Sequence, residues 1–361
     1  MKKLGAAASR FLRAASISVL CYGLVWEGAL ANDQSSACAS ESPDLSRLDS
    51  AKRFLDEEGG QIHSMIVQHC GRRVFEDYRL GFDSIMPHDL QSATKTYSML
   101  LIGVLIERGD IESVDTPLSQ LLPDYAHFLR GEKADITLRH VLSMTTGLAW
   151  RDFGKGNSFE KIIAAEDTAE FVLSEPLKTK PGEAFFYNTG SSHLLSAIIT
   201  EQTGMSAFEF AKETLFEPLE MMDYEWDEFA DGLSLGGWGL YSRPRDMAKV
   251  GQLILDGGAW EGRQIVNADF VDDARRQQTE TGAGVGGGGY GYQMWIPDGF
   301  SKTQVAAALG FGGQSIYVFG DLDLVVVFTA SVEKPQENAA LQARVLSQFV
   351  VPQYSDADLS D

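Results

Sequence analysis

Ser92 and Lys95, in the segment QSATKTYSMLLIGVLIERG, have the types and spacing for covalent chemistry. A serine three positions before a lysine at a helix start sets a hydroxyl and an amine on one face, one turn apart. A serine hydroxyl is a poor nucleophile at neutral pH and needs a base beside it, and a desolvated lysine can be that base. The pair predicts acyl transfer without histidine. The competing reading makes Ser92 a helix cap and nothing more, and the local pattern leaves both open.

Ser-x-x-Lys occurs three times in the chain, so the surroundings must separate the copies. Ser158, before Lys161, follows a polar stretch and heads IIAAEDTAEFVL, so it is expected to cap a helix. Ser331, before Lys334, lies between a strand-like run and Pro335 and is expected in a turn. Ser92 precedes a long apolar run, Tyr97 to Arg108, that closes on Gly109-Asp110. That describes a buried helix whose first backbone N–H groups favour developing negative charge.

Other motifs carry less. Gly232-Leu233-Ser234-Leu235-Gly236 matches a nucleophile elbow, which needs a strand before the serine and a histidine later in the chain. The histidines are 63, 69, 88, 127, 140 and 193, none beyond Ser234, so the elbow is rejected. Gly282, Gly284 and Gly287 satisfy G-x-G-x-x-G, but they precede a strand, the wrong order for a dinucleotide site, and are expected to form a loop. The scattered histidines have no metal-ligand spacing. No metal and no cofactor are expected.

The elements that must position Ser92 can be read from periodicity. Strands are expected at 61–68 and 72–78, joined by a turn at Cys70-Gly71. A helical middle follows: the Ser92 helix, then 137–144, 158–173, 191–204 and 206–219. Pro244 opens a further helix. Strands are expected at 290–296, 314–320 and 323–331, the last two as a hairpin, with a closing helix over 336–350. Strands at both ends with helices between them predict one sheet built from the two termini, with a helical region inserted.

The 361 residues are 44% hydrophobic and 22% charged, an ordinary globular composition. Residues 1–31 read as a cleaved signal peptide: Lys2, Lys3, Arg10 and Arg13, an apolar stretch from Ala14 to Val25, and Ala29-Leu30-Ala31 before Asn32. The apolar stretch is short for a membrane span. The expected location is therefore secreted or periplasmic, with no membrane span after cleavage. Loss of that segment takes the formal charge from −21 to −24, which argues against nucleic acid and anionic membranes as partners. Cys38 and Cys70 would remain, and an oxidising compartment would allow a disulfide.

Several ordered segments together resemble the serine hydrolases of the β-lactamase and penicillin-binding-protein superfamily, in particular its class C-like esterase and 6-aminohexanoate-dimer-hydrolase branch. They are SATK (92–95), TLRHVLSMTTGL (137–148), PGEAFFYNTGSSHLLSAIITEQTG (181–204), GGWGLYSRPRDMAKVGQLILDGG (236–258), YGYQMW (290–295) and LGFGGQSIYVFGDLDLVVV (309–327).

The resemblance implies a mixed α/β (α+β) fold, an antiparallel sheet flanked by helices with an inserted, mostly helical subdomain at roughly 93–240. The implied organisation is an N-terminal segment at 32–54, the hydrolase domain at 55–350 and an acidic tail at 351–361. It implies acylation of Ser92, proton transfer by Lys95 and Tyr187, and an oxyanion hole from the backbone N–H groups of Ser92 and Gln314. A lysine cation beside Tyr187 would favour its phenolate as a base.

Two departures from the family pattern bear on substrate. The family commonly reads Tyr-x-Asn, whereas this chain has Tyr187-Asn188-Thr189, so either Thr189 or Asn188 takes the amide's place. The Lys-Thr-Gly slot reads Phe311-Gly312-Gly313, which removes the cation that would hold a substrate carboxylate and predicts weak or absent β-lactamase activity. Trp238, Tyr292, Trp295 and Phe311 are expected to line an apolar acyl site. The expected substrate is a small-molecule or peptide-like ester or amide. The alternatives are a D-amino-acid peptidase or β-lactamase, and a non-catalytic envelope binding protein on the same fold.

Overall fold

The computed structural model describes Cys38 and residues 45–58, 60–282, 288–300 and 303–355. The expected signal peptide, Gly284 and Gly287 of the glycine-rich motif, and the last six residues of the acidic tail lie outside the described residues. The chain divides into two units, Met1–Ser42 and Pro43–Asp361; within the first, Cys38 is the described residue. Cys38 and Cys70 are both disulfide-bonded.

The second unit is built on one antiparallel sheet. Helix α1 (Ser46–Glu58) leads into β1 (Ile62–His69) and β2 (Arg72–Tyr78). The helical middle includes α2 (Thr94–Arg108), α3 (Leu138–Leu142), α4 (Thr189–Thr203) and α5 (Pro244–Leu255). The chain then returns through β3 (Thr279–Glu280), β4 (Gly289–Tyr290), β5 (Trp295–Ile296), β6 (Val305–Gly310), β7 (Gln314–Phe319) and β8 (Leu324–Ala330), and closes with α6 (Pro335–Val345). The strand order is β2-β1-β8-β7-β6-β5-β4-β3. N-terminal β1 thus pairs with C-terminal β8, Met65 opposite Phe328, as expected from strands at the two ends of the sequence.

Both faces of this sheet are covered, so its central strands β1, β7 and β8 are buried at almost every position rather than at alternate ones. Along β8, Leu324, Val326 and Phe328 join one core with Leu48, Leu55 and Val345, while Val325 and Val327 join the other with Leu101, Leu195 and Leu253. Helix α2 is buried from Thr94 to Leu105, as a helix that is apolar on all sides must be. It stops at Gly109, whose φ of 77° allows its N–H to bond Ile106 and Leu105 oxygens.

Four expectations need correction. The boundary set at residue 55 falls inside α1, where Leu48, Ala51 and Leu55 are fully buried. The helix expected over 158–173 is two, Ser158–Ile162 and Thr168–Ser174. Asp167 accepts from Glu170 N at 2.8 Å and so starts a second helix. Asn157, not Ser158, caps the first, while Ser158 Oγ accepts from Arg151 N at 3.1 Å. The strand expected over 290–296 is a hairpin, β4–β5, because Gln293 adopts φ 50° and ties its amide to the Val141 and Leu142 carbonyls at 3.0 Å. Strand β6 gives little sequence signal, since half of VAAALG is alanine and Val305 is its one strand-favouring residue.

Candidate active site

Ser92 stands in a short 3-10 turn, Gln91–Ala93, that feeds α2. Its predecessor Gln91 holds φ 50°, a left-handed conformation costing a non-glycine residue about 1–3 kcal/mol. Asp89 holds it there, accepting from Gln91 N at 2.9 Å and from the Gln91 side-chain amide. Ser92 is half-buried at the start of an otherwise buried helix.

Lys95 lies one turn on and is 1% exposed. Its Nζ donates to Ser92 Oγ at 3.2 Å and to the Gly237 carbonyl at 2.7 Å. Burial pulls the amine down to about 7, with Asp152 opposing that shift. A buried amine of that basicity is largely neutral in mildly alkaline water, and its lone pair is within reach of the hydroxyl proton.

Tyr187 completes the cluster. Lys95 Nζ sits 5.1 Å from its ring centroid, and the ring stacks on Trp295 at 5.6 Å and 19°. The flanking backbone is anchored at both sides: Phe186 N donates to Met144 O at 2.9 Å, and Asn188 N to Met144 Sδ at 3.3 Å. Burial pushes the phenol up, and a hydrogen bond with Ser92 opposes it. This reverses the expected phenolate: with Lys95 largely neutral, Tyr187 rests as the protonated phenol, bonded to the serine.

Strands β6 and β7 pack against the Gln91–Ala93 turn. Gly310 permits this approach, because a Cβ there would lie 2.1 Å from the Leu90 carbonyl oxygen. The Gln314 side chain turns away from the turn, bonding both backbone groups of Ala330. Any contribution of Gln314 to chemistry is thus through its backbone. Gly312 and Gly313 take φ 93° and 106°, and their carbonyls accept from Asn338 Nδ2 at 2.8 Å and Gln342 Nε2 at 2.7 Å, which fixes the loop onto α6.

Asn188 and Thr189 differ in their partners. Asn188 is 1% exposed and caps α4, accepting from Ser191 N at 2.9 Å and donating to Leu148 O at 3.2 Å. Both ends of its amide are used, so it is no substrate contact. Thr189 faces the cluster and hydrogen-bonds Asp152. Tyr292 must also be withdrawn as a pocket residue: it is fully buried, stacks on Phe270 and bonds Arg139 through its hydroxyl. Trp238 stays near the site, adjoining Gly237 and packing edge-on against Phe159 at 4.7 Å. Phe311 is 46% exposed and faces Phe153 at 6.2 Å. Ser234 of the rejected elbow is fully buried and accepts from Phe208 N at 3.0 Å.

Asp152 escaped the sequence reading altogether. It lies in the loop WRDFGKGN, with no motif to mark it, yet its charge is felt by Lys95, Tyr187 and Tyr290. Its Oδ1 accepts from Trp150 Nε1 at 3.2 Å. Burial raises the carboxyl above its ordinary value, while Thr189, Lys95 and Trp150 pull it back. Gly237 is the other omission. A Cβ there would stand 2.6 Å from Thr189 Cγ2 and 3.3 Å from Lys95 Nζ, so the glycine alone lets these three residues close on one another.

Residues 53–349 match the family model described as Beta-lactamase, and the chain belongs to this family of serine hydrolases. The 6-aminohexanoate-dimer hydrolase of Paenarthrobacter ureafaciens is 25% identical over 281 residues, spanning 72% of this chain and 70% of that protein. Esterase EstB of Burkholderia gladioli is 27% identical over 146 residues, 37% of each. The octameric penicillin-binding protein homologue from Pyrococcus abyssi shares the fold at a TM-score of 0.66, with 22% identity over 84% of this chain and 77% of that one. No helix among the described residues is long and apolar enough to cross a membrane.

Proposed function

We propose that this is an exported serine hydrolase that cleaves an ester or amide through an acyl-enzyme on Ser92. The observation that carries the proposal is a buried Lys95 amine, lowered to about 7, at 3.2 Å from Ser92 Oγ. Neutral Lys95 takes the Ser92 proton as Oγ attacks the carbonyl carbon. The backbone N–H groups of Ser92 and Gln314 receive the developing oxyanion; one such donor typically supplies about 2.7–4 kcal/mol. Tyr187, a phenol bonded to Ser92, passes its proton to the departing oxygen or nitrogen and regains one from protonated Lys95, so the C–O or C–N bond breaks with both groups returned to their starting states. Water then attacks the acyl-enzyme by the same route in reverse. No step calls on a cofactor.

Export is supported by the disulfide-bonded state of Cys38 and Cys70, which suits an oxidising compartment. The neutral Phe311-Gly312-Gly313 slot favours an ester or amide over a β-lactam or D-amino-acid peptide, whose carboxylate would find no cation there.

The test is hydrolysis of a short-chain p-nitrophenyl ester by residues 32–361 beside the Ser92→Ala variant. Activity that disappears with Ser92 is expected. Activity that persists would assign the chemistry elsewhere, and an inert wild type that also resists an activated phosphonate would favour a binding protein.

A further inference from the structure

We propose that His193 is a positioning residue: through the backbone of Gly236 it sets the Gly237 carbonyl that orients Lys95 toward Ser92. The inference rests on Ser92 being the site of acylation with Lys95 as its base. No histidine takes the serine's proton in that chemistry, yet His193 is fully buried against the segment that holds the amine. Its Nδ1 accepts from Gly236 N at 3.4 Å, and the next residue, Gly237, receives Lys95 Nζ at 2.7 Å.

The outer end of this path decides where the ring's proton sits. Thr168 Oγ1 donates to Asp231 Oδ2 at 2.6 Å, and Thr168 N donates to the same oxygen at 2.9 Å. A hydroxyl has one proton, and here it is committed to the carboxylate. Toward His193 Nε2, 2.7 Å away, Oγ1 is left as an acceptor. Nε2 therefore carries the proton, and Nδ1 keeps its lone pair for the Gly236 N–H. An exposed aspartate in this way sets the tautomer of a buried ring beside the base.

Two adjacent glycines have no side chains to hold them and a wide choice of backbone conformations, so Gly236-Gly237 needs neighbours to fix it. Ser98 Oγ, on α2, donates to Gly236 O at 2.7 Å, while His193, on α4, takes Gly236 N. The fit is close: a Cβ at Gly236 would lie 2.8 Å from Ser192 O and 3.0 Å from His193 Cα. Phe229 packs edge-on against the imidazole, with centroids 5.0 Å apart. Pinned from both helices, Gly236 presents the following carbonyl to Lys95.

Two pairs of variants of residues 32–361 test this with a short-chain p-nitrophenyl ester. His193→Phe fills the ring's volume without the acceptor, whereas His193→Asn is smaller but places Oδ1 where Nδ1 stands. We expect kcat/KM to fall at least about tenfold in His193→Phe and to stay within about threefold of wild type in His193→Asn, even if the asparagine variant melts lower. Thr168→Val should lower kcat/KM and Thr168→Ser should restore it; this pair carries the test if His193→Phe does not fold. Nitrogen NMR of the His193 ring should show the Nε2–H tautomer in the wild type. Activity that follows melting temperature rather than the acceptor overturns the proposal, as does an Nδ1–H ring. Ser92→Ala separates the underlying reading: if it stays active, the acylation assignment falls. An inert Ser92→Ala beside a fully active His193→Phe overturns this inference alone.

Discussion

The carbonyl of Gly237 accepts a hydrogen bond from Lys95 Nζ at 2.7 Å, across 142 positions of chain. This contact orients the amine toward Ser92 while its burial removes the amine's water. A single backbone oxygen stabilises the amine's position without adding a formal charge, so desolvation decides its basicity.

Gly237→Ala should therefore damage catalysis out of proportion to stability. The added Cβ meets Thr189 Cγ2 at 2.6 Å and Lys95 Nζ at 3.3 Å, displacing the amine from a contact that tolerates little error. We expect kcat to fall at least about tenfold, given the sensitivity of catalysis to displacements near 1 Å. Steady-state kinetics beside a circular dichroism melt checks this; equal loss of fold and activity would contradict it.

The rate should rise with pH through about 7 and level off above, because the deprotonated Lys95 is the active form. The same shift has a stability consequence. A lysine whose native value lies near 7, below its unfolded value of 10.5, binds fewer protons folded than unfolded between those limits. Its contribution to stability therefore grows as pH climbs from about 7 to about 10.5. Lys95→Met should abolish turnover yet raise the melting temperature at pH 7, and a lowered melting temperature would refute the burial argument.

Gly310→Ala tests the approach of β6 to the serine turn. A Cβ lying 2.1 Å from Leu90 O must push the strand away, carrying Gln314 with it. Loss of one oxyanion donor costs about 10²–10³ in kcat. We expect a fall of that order with KM little changed for a small ester.

Phe311→Lys should give the cleft a cation for substrate carboxylates. Acylation by a penicillin, followed by intact-protein mass spectrometry, is expected to be faster in the variant than in the wild type. An unchanged rate would mean that position 311 does not face bound substrate.

Acid should destabilise the fold through two buried imidazoles. His63, stacked on Phe82 at 3.7 Å, and His193 are both pulled down to about 4 by burial. His193 Nδ1 accepts from Gly236 N at 3.4 Å and its Nε2 meets Thr168 Oγ1 at 2.7 Å, an arrangement that suits the neutral ring. Both histidines stay neutral when folded but protonate near 6.5 when unfolded, so stability is lost as pH falls from about 6.5 to about 4. His63→Phe, which keeps the stack, should flatten the decline in melting temperature across that window.

Much of the fold was legible from pattern. Strands β1, β2, β7 and β8 and helices α2, α4 and α5 are long or strongly periodic, and their bounds fall within a few residues of expectation. What failed was set by side chains acting at a distance. Asp167 starts a helix where the apolar period runs on, and Gln293 folds a strand-like run back on itself by bonding carbonyls some 150 positions earlier in the chain. Strand β6, half alanine, owes its conformation to pairing with β7.

For the site, sequence by itself determined the one-turn spacing of Ser92 and Lys95, because a helix start places i and i+3 on one face whatever surrounds it. Through the family resemblance, it also placed the neutral Phe311 in the slot where the β-lactam-recognising members carry a lysine. Tertiary structure alone decided the rest. The meeting of Tyr187 with Ser92, the lowering of Lys95, the presence of Asp152 and the close passage of Gly237 depend on residues far apart in the chain. Desolvation and charge act through space, and the distances that govern them exist only once the helices and the sheet have packed.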